Sequence, residues 1–272
     1  MRSSLRTSKR GGKPPLSERR SGFTQMRTQL PALLLSAVLL LIWQLGAAAV
    51  NLPHLFPSPA AILVRTWELR ESLILHHLPV TLYTVIAGWG LAIAIALFLA
   101  VLMHVSERAE ACIYPALVVT QTIPVMCISP LFVLWFGYTQ AARLTAVVLS
   151  TFFAITLNTF EGLRRTDREK VELMRSLGAT RGQIFRYVEV PSALPLLLTG
   201  LKMTLPWAVI DAAVAEWLGA TQGLGYFSKR MISKMDGPAV FAPILVLTVF
   251  VLIEMAVLNA IDRKAAFYRN EL

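Results

Sequence analysis

The chain has 272 residues, 56% of them hydrophobic and only 15% charged, with a mean hydropathy of +0.60, which is too apolar for a water-soluble domain of this size. Its apolar residues fall in long blocks separated by short polar loops, so lipid is the expected solvent and a single helical bundle the simplest organisation. The net charge of +10 lies largely in the N-terminal tail and one internal loop, a distribution that reports membrane topology and gives no reason to expect a nucleic-acid partner.

Residues 1–29 are rich in Ser, Arg and Lys and read as a disordered basic cytoplasmic tail held near anionic lipid, with the transmembrane domain occupying 30–272. Six stretches have the length and composition of membrane spans: Leu30 to Val50, Val80 to Met103, Ala111 to Phe136, Ala141 to Phe160, Ala193 to Ala215 and Val240 to Ile261. The first imitates a cleavable signal peptide, ending in Ala47-Ala48-Ala49. Its long basic region and long apolar core predict a retained anchor instead. The two termini and the loops after the second and fourth spans carry 19 Lys and Arg against 6 in or beside the alternate loops, which predicts both termini on the cytoplasmic side of a bacterial inner membrane.

After the first span, Phe56-Pro57-Ser58-Pro59 precedes a stretch of mixed apolar and charged character from Ala60 to Leu75. Ser58 as a cap and Pro59 in the first turn predict a short helix lying at the outer interface. Pro115, Pro124 and Pro130 make a straight third span improbable. That span is therefore a candidate wall of a translocation pathway, with Gln121 and Thr122 as polar contacts beside Pro124. Cys112 and Cys127, in the same segment, lack ligand spacing and read as buried thiols.

Between Glu161 and Pro191 the chain leaves the membrane. Asp167 is a good N-cap, Val171, Met174 and Leu177 recur at three-residue spacing, and Gly178 is placed to stop the helix in a left-handed conformation. A second short helix from about Arg181 is expected to end near Pro191, giving a helix, a sharp turn and a helix with an apolar edge.

The spacing of Glu172, Gly178, Val188, Val190 and Pro191 resembles the cytoplasmic loop motif of binding-protein-dependent ABC permeases, which begins Glu-Ala-Ala and ends aliphatic-x-Leu-Pro. Leu173 and Met174 replace the two alanines, and Val190 replaces the leucine. The resemblance implies an all-α, six-helix transmembrane bundle with a cytoplasmic helix-turn-helix that couples to an ATPase through Glu172, Leu173, Leu177, Gly178, Ala179 and Pro191. It also implies cytoplasmic ATP-binding subunits, an external solute-binding protein and a second permease copy, here expected as a homodimer. Gln121-Thr122-Ile123-Pro124, Pro130-Leu131-Phe132, Trp135-Phe136-Gly137, Phe56-Pro57-Ser58-Pro59 and Asn158-Thr159 resemble the nitrate, sulfonate and taurine branch. Pro191-Ser192-Ala193-Leu194-Pro195, Thr199-Gly200-Leu201-Lys202-Met203 and the run from Ala215 to Tyr226 look more like members that import thiamine-precursor pyrimidines or riboflavin-type heteroaromatic compounds.

Lys202 and Asp211 lie inside the fifth span, where a charge at the centre costs about 2.5–3.5 kcal/mol on insertion scales. Nine residues apart, they sit on opposite faces of an ideal helix, with Pro206 between them. Two readings stay open: pathway residues, or structural charges satisfied separately. Glu216 and Trp217 follow near the outer end of the span, before Gly219, Gly223 and Gly225. A heteroaromatic ring stacked on Trp217 or Trp207, with the carboxylate accepting from its amino group, is one reading. An interfacial tryptophan beside a solvated carboxylate is the other. Glu254, in the sixth span, could reach the interface and receives no role.

No Gly-x-x-x-x-Gly-Lys-Ser/Thr segment occurs, so the phosphate-cradling loop of an ATPase must lie on a partner. His54, His76, His77 and His104 show no metal-ligand spacing, no cofactor is expected, and no nucleophile, base and orienting group can be nominated for an enzyme. The rival from another class is an ion-coupled secondary carrier with Lys202, Asp211 and Glu216 as its charge relay. A membrane-embedded enzyme or assembly factor is a third.

Overall fold

The computed structural model describes the backbone of residues 16–270 and the side chains of residues 31–264. Every regular element among the described residues is helical. Five helices are long and apolar enough to cross a membrane, and a bent pair makes a sixth span. The expected disorder over 1–29 lies, for its first 15 residues, outside the described residues; from Leu16 the backbone is already helical.

Contacts divide the chain into two compact units, Met1–Ala60 and Ala61–Leu272. In the first, helix α1 (Leu16–Val50) ends at Asn51, whose φ of 50° turns the chain. The Trp43 indole N–H donates to the Pro57 carbonyl at 3.1 Å, and Gln44 Oε1 accepts from the Ala60 amide at 3.2 Å. The side chain of α1 thus supplies the acceptor that the first turn of α2 (Pro59–Glu68) lacks.

The second unit continues through a π-helical turn, Ser72–His77, into α3 (Leu78–Val105). Next come α4 (Glu107–Thr122) and α5 (Val125–Phe136), which meet at 97° across Ile123 and Pro124. Pro124 cannot donate a helical hydrogen bond, and it sits as the N-cap of α5, so the expected break falls at this proline; Pro115 and Pro130 are accommodated inside their helices. Helices α6 (Gln140–Arg164), α7 (Arg168–Ser176), α8 (Arg181–Ile184), α9 (Val190–Gly219), α10 (Leu224–Ser233) and α11 (Gly237–Asn270) complete the unit. Cys112 and Cys127, expected to be buried, are exposed and unbridged, because α4 and α5 turn those faces outward.

One boundary differs in kind from the sequence expectation. The second helix of the hairpin does not end near Pro191. A π-helical turn at Phe185–Glu189 joins α8 to α9, and Arg181–Gly219 form one apolar helical stretch of 39 residues. In that turn the Val190 amide reaches back to the Phe185 carbonyl, and Pro191 falls in the first turn of α9, where its missing N–H costs little.

Because lipid tails are as apolar as the side chains, close packing decides which helices associate, and small residues permit it. Gly88, Ala92, Ala96 and Ala100 form a four-residue-spaced stripe on α3, and all four are buried. A Cβ on Gly88 would lie 2.8 Å from Val147 on α6. Further along α6, a Cβ on Gly162 would lie 2.9 Å from the Ala193 backbone on α9, and one on Gly200 of α9 would lie 3.0 Å from Asn158. Hydroxyls buried at these contacts bond back to their own helix, as with Thr151 to Val147 at 2.7 Å and Thr159 to Ile155 at 2.7 Å. Trp89 on α3 donates to the Thr204 hydroxyl on α9 at 3.1 Å. Gly162→Leu is expected to force α6 from α9 and cost about 1–3 kcal/mol, the range for overpacking. A fall in the thermal midpoint of the detergent-purified protein measures it, and an unchanged midpoint would contradict the close approach.

Candidate functional site

Two places carry the residues singled out by the sequence: the hairpin between α6 and α9, and the far end of α9. In the hairpin, Asp167 caps α7 by accepting from the Glu169 amide at 3.0 Å. Gly178 adopts φ = 81°, its amide donates to Arg175, and the Ala179 amide donates to Met174, both at 3.0 Å. This paired arrangement closes α7 through a left-handed residue. Thr180 and Gln183 then start α8 with reciprocal side-chain-to-amide bonds at 3.4 and 2.7 Å. The hairpin's shape is therefore dictated locally.

Its surface is uncovered. Leu173 is 60% exposed and Leu177 74%, while Glu172, Gly178 and Pro191 are also exposed and Ala179 half-buried. Nothing lies within 4 Å of a Cβ built on Gly178. On the inner side, His104 meets Glu189 at 2.9 Å and Arg164 donates to Glu110 at 2.9 Å. These two pairs bridge a polar cavity of about 420 Å³ lined in part by Glu172 and Arg175.

The intramembrane charges of α9 are not assembled into a relay. Lys202 donates to Asp262 on α11 at 2.5 Å. Asp211 is buried beside Ser150 of α6. Glu216 is fully buried: its Oε2 accepts from the Thr81 hydroxyl of α3 at 3.1 Å and from the Gly225 amide at 2.8 Å. Around it, the Thr81 hydroxyl accepts from the Leu224 amide at 2.9 Å, and His77 Nδ1 accepts from the Gly223 amide at 3.2 Å. Gly223, at φ = 118°, lies so close that a Cβ there would sit 2.3 Å from the Glu216 carboxyl carbon. The carboxylate thus clasps the turn at 220–223 to α3.

The sequence left two readings of Glu216 and Trp217 open, a ring stacked beside an accepting carboxylate or an interfacial tryptophan beside a solvated one. Trp217 is 44% exposed and Trp207 60%, whereas Glu216 has no open surface and is held inside the protein. Gln121, Thr122 and Pro124 are exposed at the bend between α4 and α5. Sequence reasoning missed His77, Thr81 and Asp262. The glycine cluster after Glu216 was the one signal that the carboxylate needed a close backbone, while nothing in the spacing linked Lys202 to a residue 60 positions later.

The chain as a whole is similar to known proteins. The model of the family described as "Binding-protein-dependent transport system inner membrane component" matches residues 92–267. The formylaminopyrimidine transport permease protein ThiX of Halalkalibacterium halodurans is 47% identical over 225 residues, 83% of this chain and 90% of that protein. The riboflavin transport system permease protein RibX of Chloroflexus aurantiacus is 33% identical over 242 residues, 87% of this chain and 90% of that one. The putative aliphatic sulfonates transport permease protein SsuC of Bacillus subtilis is 31% identical over 245 residues, covering 89% and 88%. Among solved structures, an inward-facing form of the MetNI methionine ABC transporter aligns with a TM-score of 0.59 at 23% identity, covering 68% of this chain and 93% of that chain, a likeness of fold. The chain belongs to the inner-membrane components of binding-protein-dependent transport systems, as an ABC importer permease subunit.

Proposed function

We propose that the chain forms the translocation pathway for a thiamine-precursor pyrimidine of the formylaminopyrimidine type. The observation that carries the substrate class is the 47% identity to ThiX over most of both chains. ATP is hydrolysed on separate cytoplasmic subunits, which receive the hairpin around Gly178, and an external binding protein delivers the solute. Leu173 and Leu177, held on a rigid hairpin and uncovered, support a docking role for that edge. In this arrangement both termini are cytoplasmic.

A second copy of the chain faces the exposed side of α9 and α5. Trp207 supports this reading: tryptophan is favoured at the membrane interfaces, yet this one lies mid-helix with its ring uncovered. The bend at Ile123 and Pro124 supports it too, because irregular backbone at membrane depth needs protein or water beside it. Trp207, Gln121 and Thr122 are then the pathway contacts, and Lys202 and Asp211 hold helices together.

The test is ATP hydrolysis in proteoliposomes containing the permease, its ATP-binding subunit and its binding protein, with a formylaminopyrimidine, riboflavin, taurine and nitrate panel. Stimulation by the pyrimidine alone is expected. Stimulation by another member moves the substrate assignment, and flux that follows the proton gradient without any ATPase replaces the importer by an ion-coupled carrier.

A further inference from the structure

One face of α3 carries a polar stripe through the apolar bundle. His77, Thr81 and Thr84, spaced four and three residues apart, share that face, and both threonines are fully buried. His77 and Thr81 hold the turn before α10 and the Glu216 carboxylate of α9. Thr84, one turn further along, accepts from the Gln140 side-chain amide of α6 at 2.8 Å, and the Gln140 oxygen accepts in turn from Arg143 Nη2. Two polar chains therefore leave α3 from adjacent turns, one to Glu216 and one through Gln140 to Arg143.

Both chains end on an orphan. Glu216 Oε1 and Arg143 Nε are buried and have no hydrogen-bond partner. The two ends are opposite in charge, and Glu216 is the carboxylate whose field reaches the Arg143 guanidinium. Arg143 and Ala146 of α6 also line one narrow crevice with Ala215 and Leu218 of α9, so the two helices meet at this level. A cation at membrane depth is costly unless it is paired. Lys202 meets that requirement directly through Asp262. Arg143 donates to a neutral amide, and its charge is left to the carboxylate across the helix contact.

We infer that Arg143 is the counter-charge of Glu216, and that this pair closes the ring of polar groups holding the turn at 220–223 on α3. Arg143 is then a positioning residue. Its own hydrogen bond goes to Gln140 and not to the turn, so its effect there passes through the carboxylate that accepts from Thr81 and the Gly225 amide.

The test is amide hydrogen exchange of the transporter in nanodiscs, read over the peptide containing Gly223, Leu224 and Gly225, whose amides end on His77, Thr81 and Glu216. Arg143→Gln is expected to speed this exchange roughly 10-fold, within the range of couplings in buried networks. Arg143→Lys, which keeps the charge, should exchange close to the unsubstituted rate. In a Glu216→Gln background, Arg143→Gln should add nothing to the exchange and should raise the thermal midpoint, because it removes a buried cation that has lost its partner. Unchanged exchange in Arg143→Gln would overturn the proposal. So would a fall in midpoint as large with Glu216→Gln as without it, which would leave Arg143 a packing residue independent of the carboxylate. If Arg143→Gln alone does not accumulate, the double variant compared with Glu216→Gln still decides the sign.

Discussion

Gly178→Trp is expected to abolish solute-stimulated uptake while leaving membrane insertion and accumulation intact. Within the chain a Cβ at this exposed position meets nothing within 4 Å, so the side chain starts out into open space. Its intrinsic cost is conformational, about 1–2 kcal/mol for a side chain at the observed φ of 81°. That cost falls on an exposed turn and does not reach the bundle. If the hairpin enters a cleft of the ATP-binding subunit, as proposed, a bulky side chain at its apex blocks docking, and a hot-spot loss of about 2 kcal/mol or more corresponds to ~30-fold in affinity. Gly178→Ala isolates the backbone contribution. Gly182, equally open but without a positive φ, is the control: Gly182→Ala should leave uptake unchanged. Co-purification of the ATP-binding subunit and uptake driven by ATP are the measurements. Full uptake by the tryptophan variant removes the hairpin's apex from the coupling path.

Glu216→Ala is expected to destabilise the protein by about 2–4 kcal/mol, from a new cavity together with buried donors left without an acceptor. Thr81 and the Gly225 amide both lose their bond to the carboxylate, and the turn at 220–223 loses its anchor on α3. Gly223→Ala should produce the same phenotype from the other side, because its Cβ would have to occupy the carboxylate's own space at a backbone angle that side chains rarely adopt. Glu216→Gln retains an acceptor oxygen and should be the mildest of the three. The readout is the thermal midpoint in detergent beside the solute profile of whatever protein accumulates. A normal midpoint with an altered solute profile would return Glu216 to the pathway.

The parts legible in the sequence are those governed by short-range rules. Asp167, Gly178 and Pro124 fix local geometry through a cap, a left-handed turn and a missing amide, and each does in the structure what its chemistry requires. Span number was equally readable, since hydropathy over about twenty residues needs no tertiary information. Pairings across helices were not. Lys202 finds Asp262, and Glu216 finds Thr81, because helix rotation and tilt place them together, and neither is encoded in periodicity. The continuation of α8 into α9 was hidden for a subtler reason: a proline normally reads as a stop, but a π-helical turn shifts the hydrogen-bond register before it arrives.

That unbroken connection has a mechanical consequence. The helical stretch from Arg181 to Gly219 is 39 residues, about 58 Å as a rod, and one of its close approaches to α6, at Gly200, falls near the midpoint. A rod pivoting there is a seesaw with arms of nearly 30 Å. On such a lever a tilt of about ten degrees would swing each tip by ~5 Å in opposite directions, so a displacement at the hairpin would reach the clasped turn beyond Gly219 with its sign inverted.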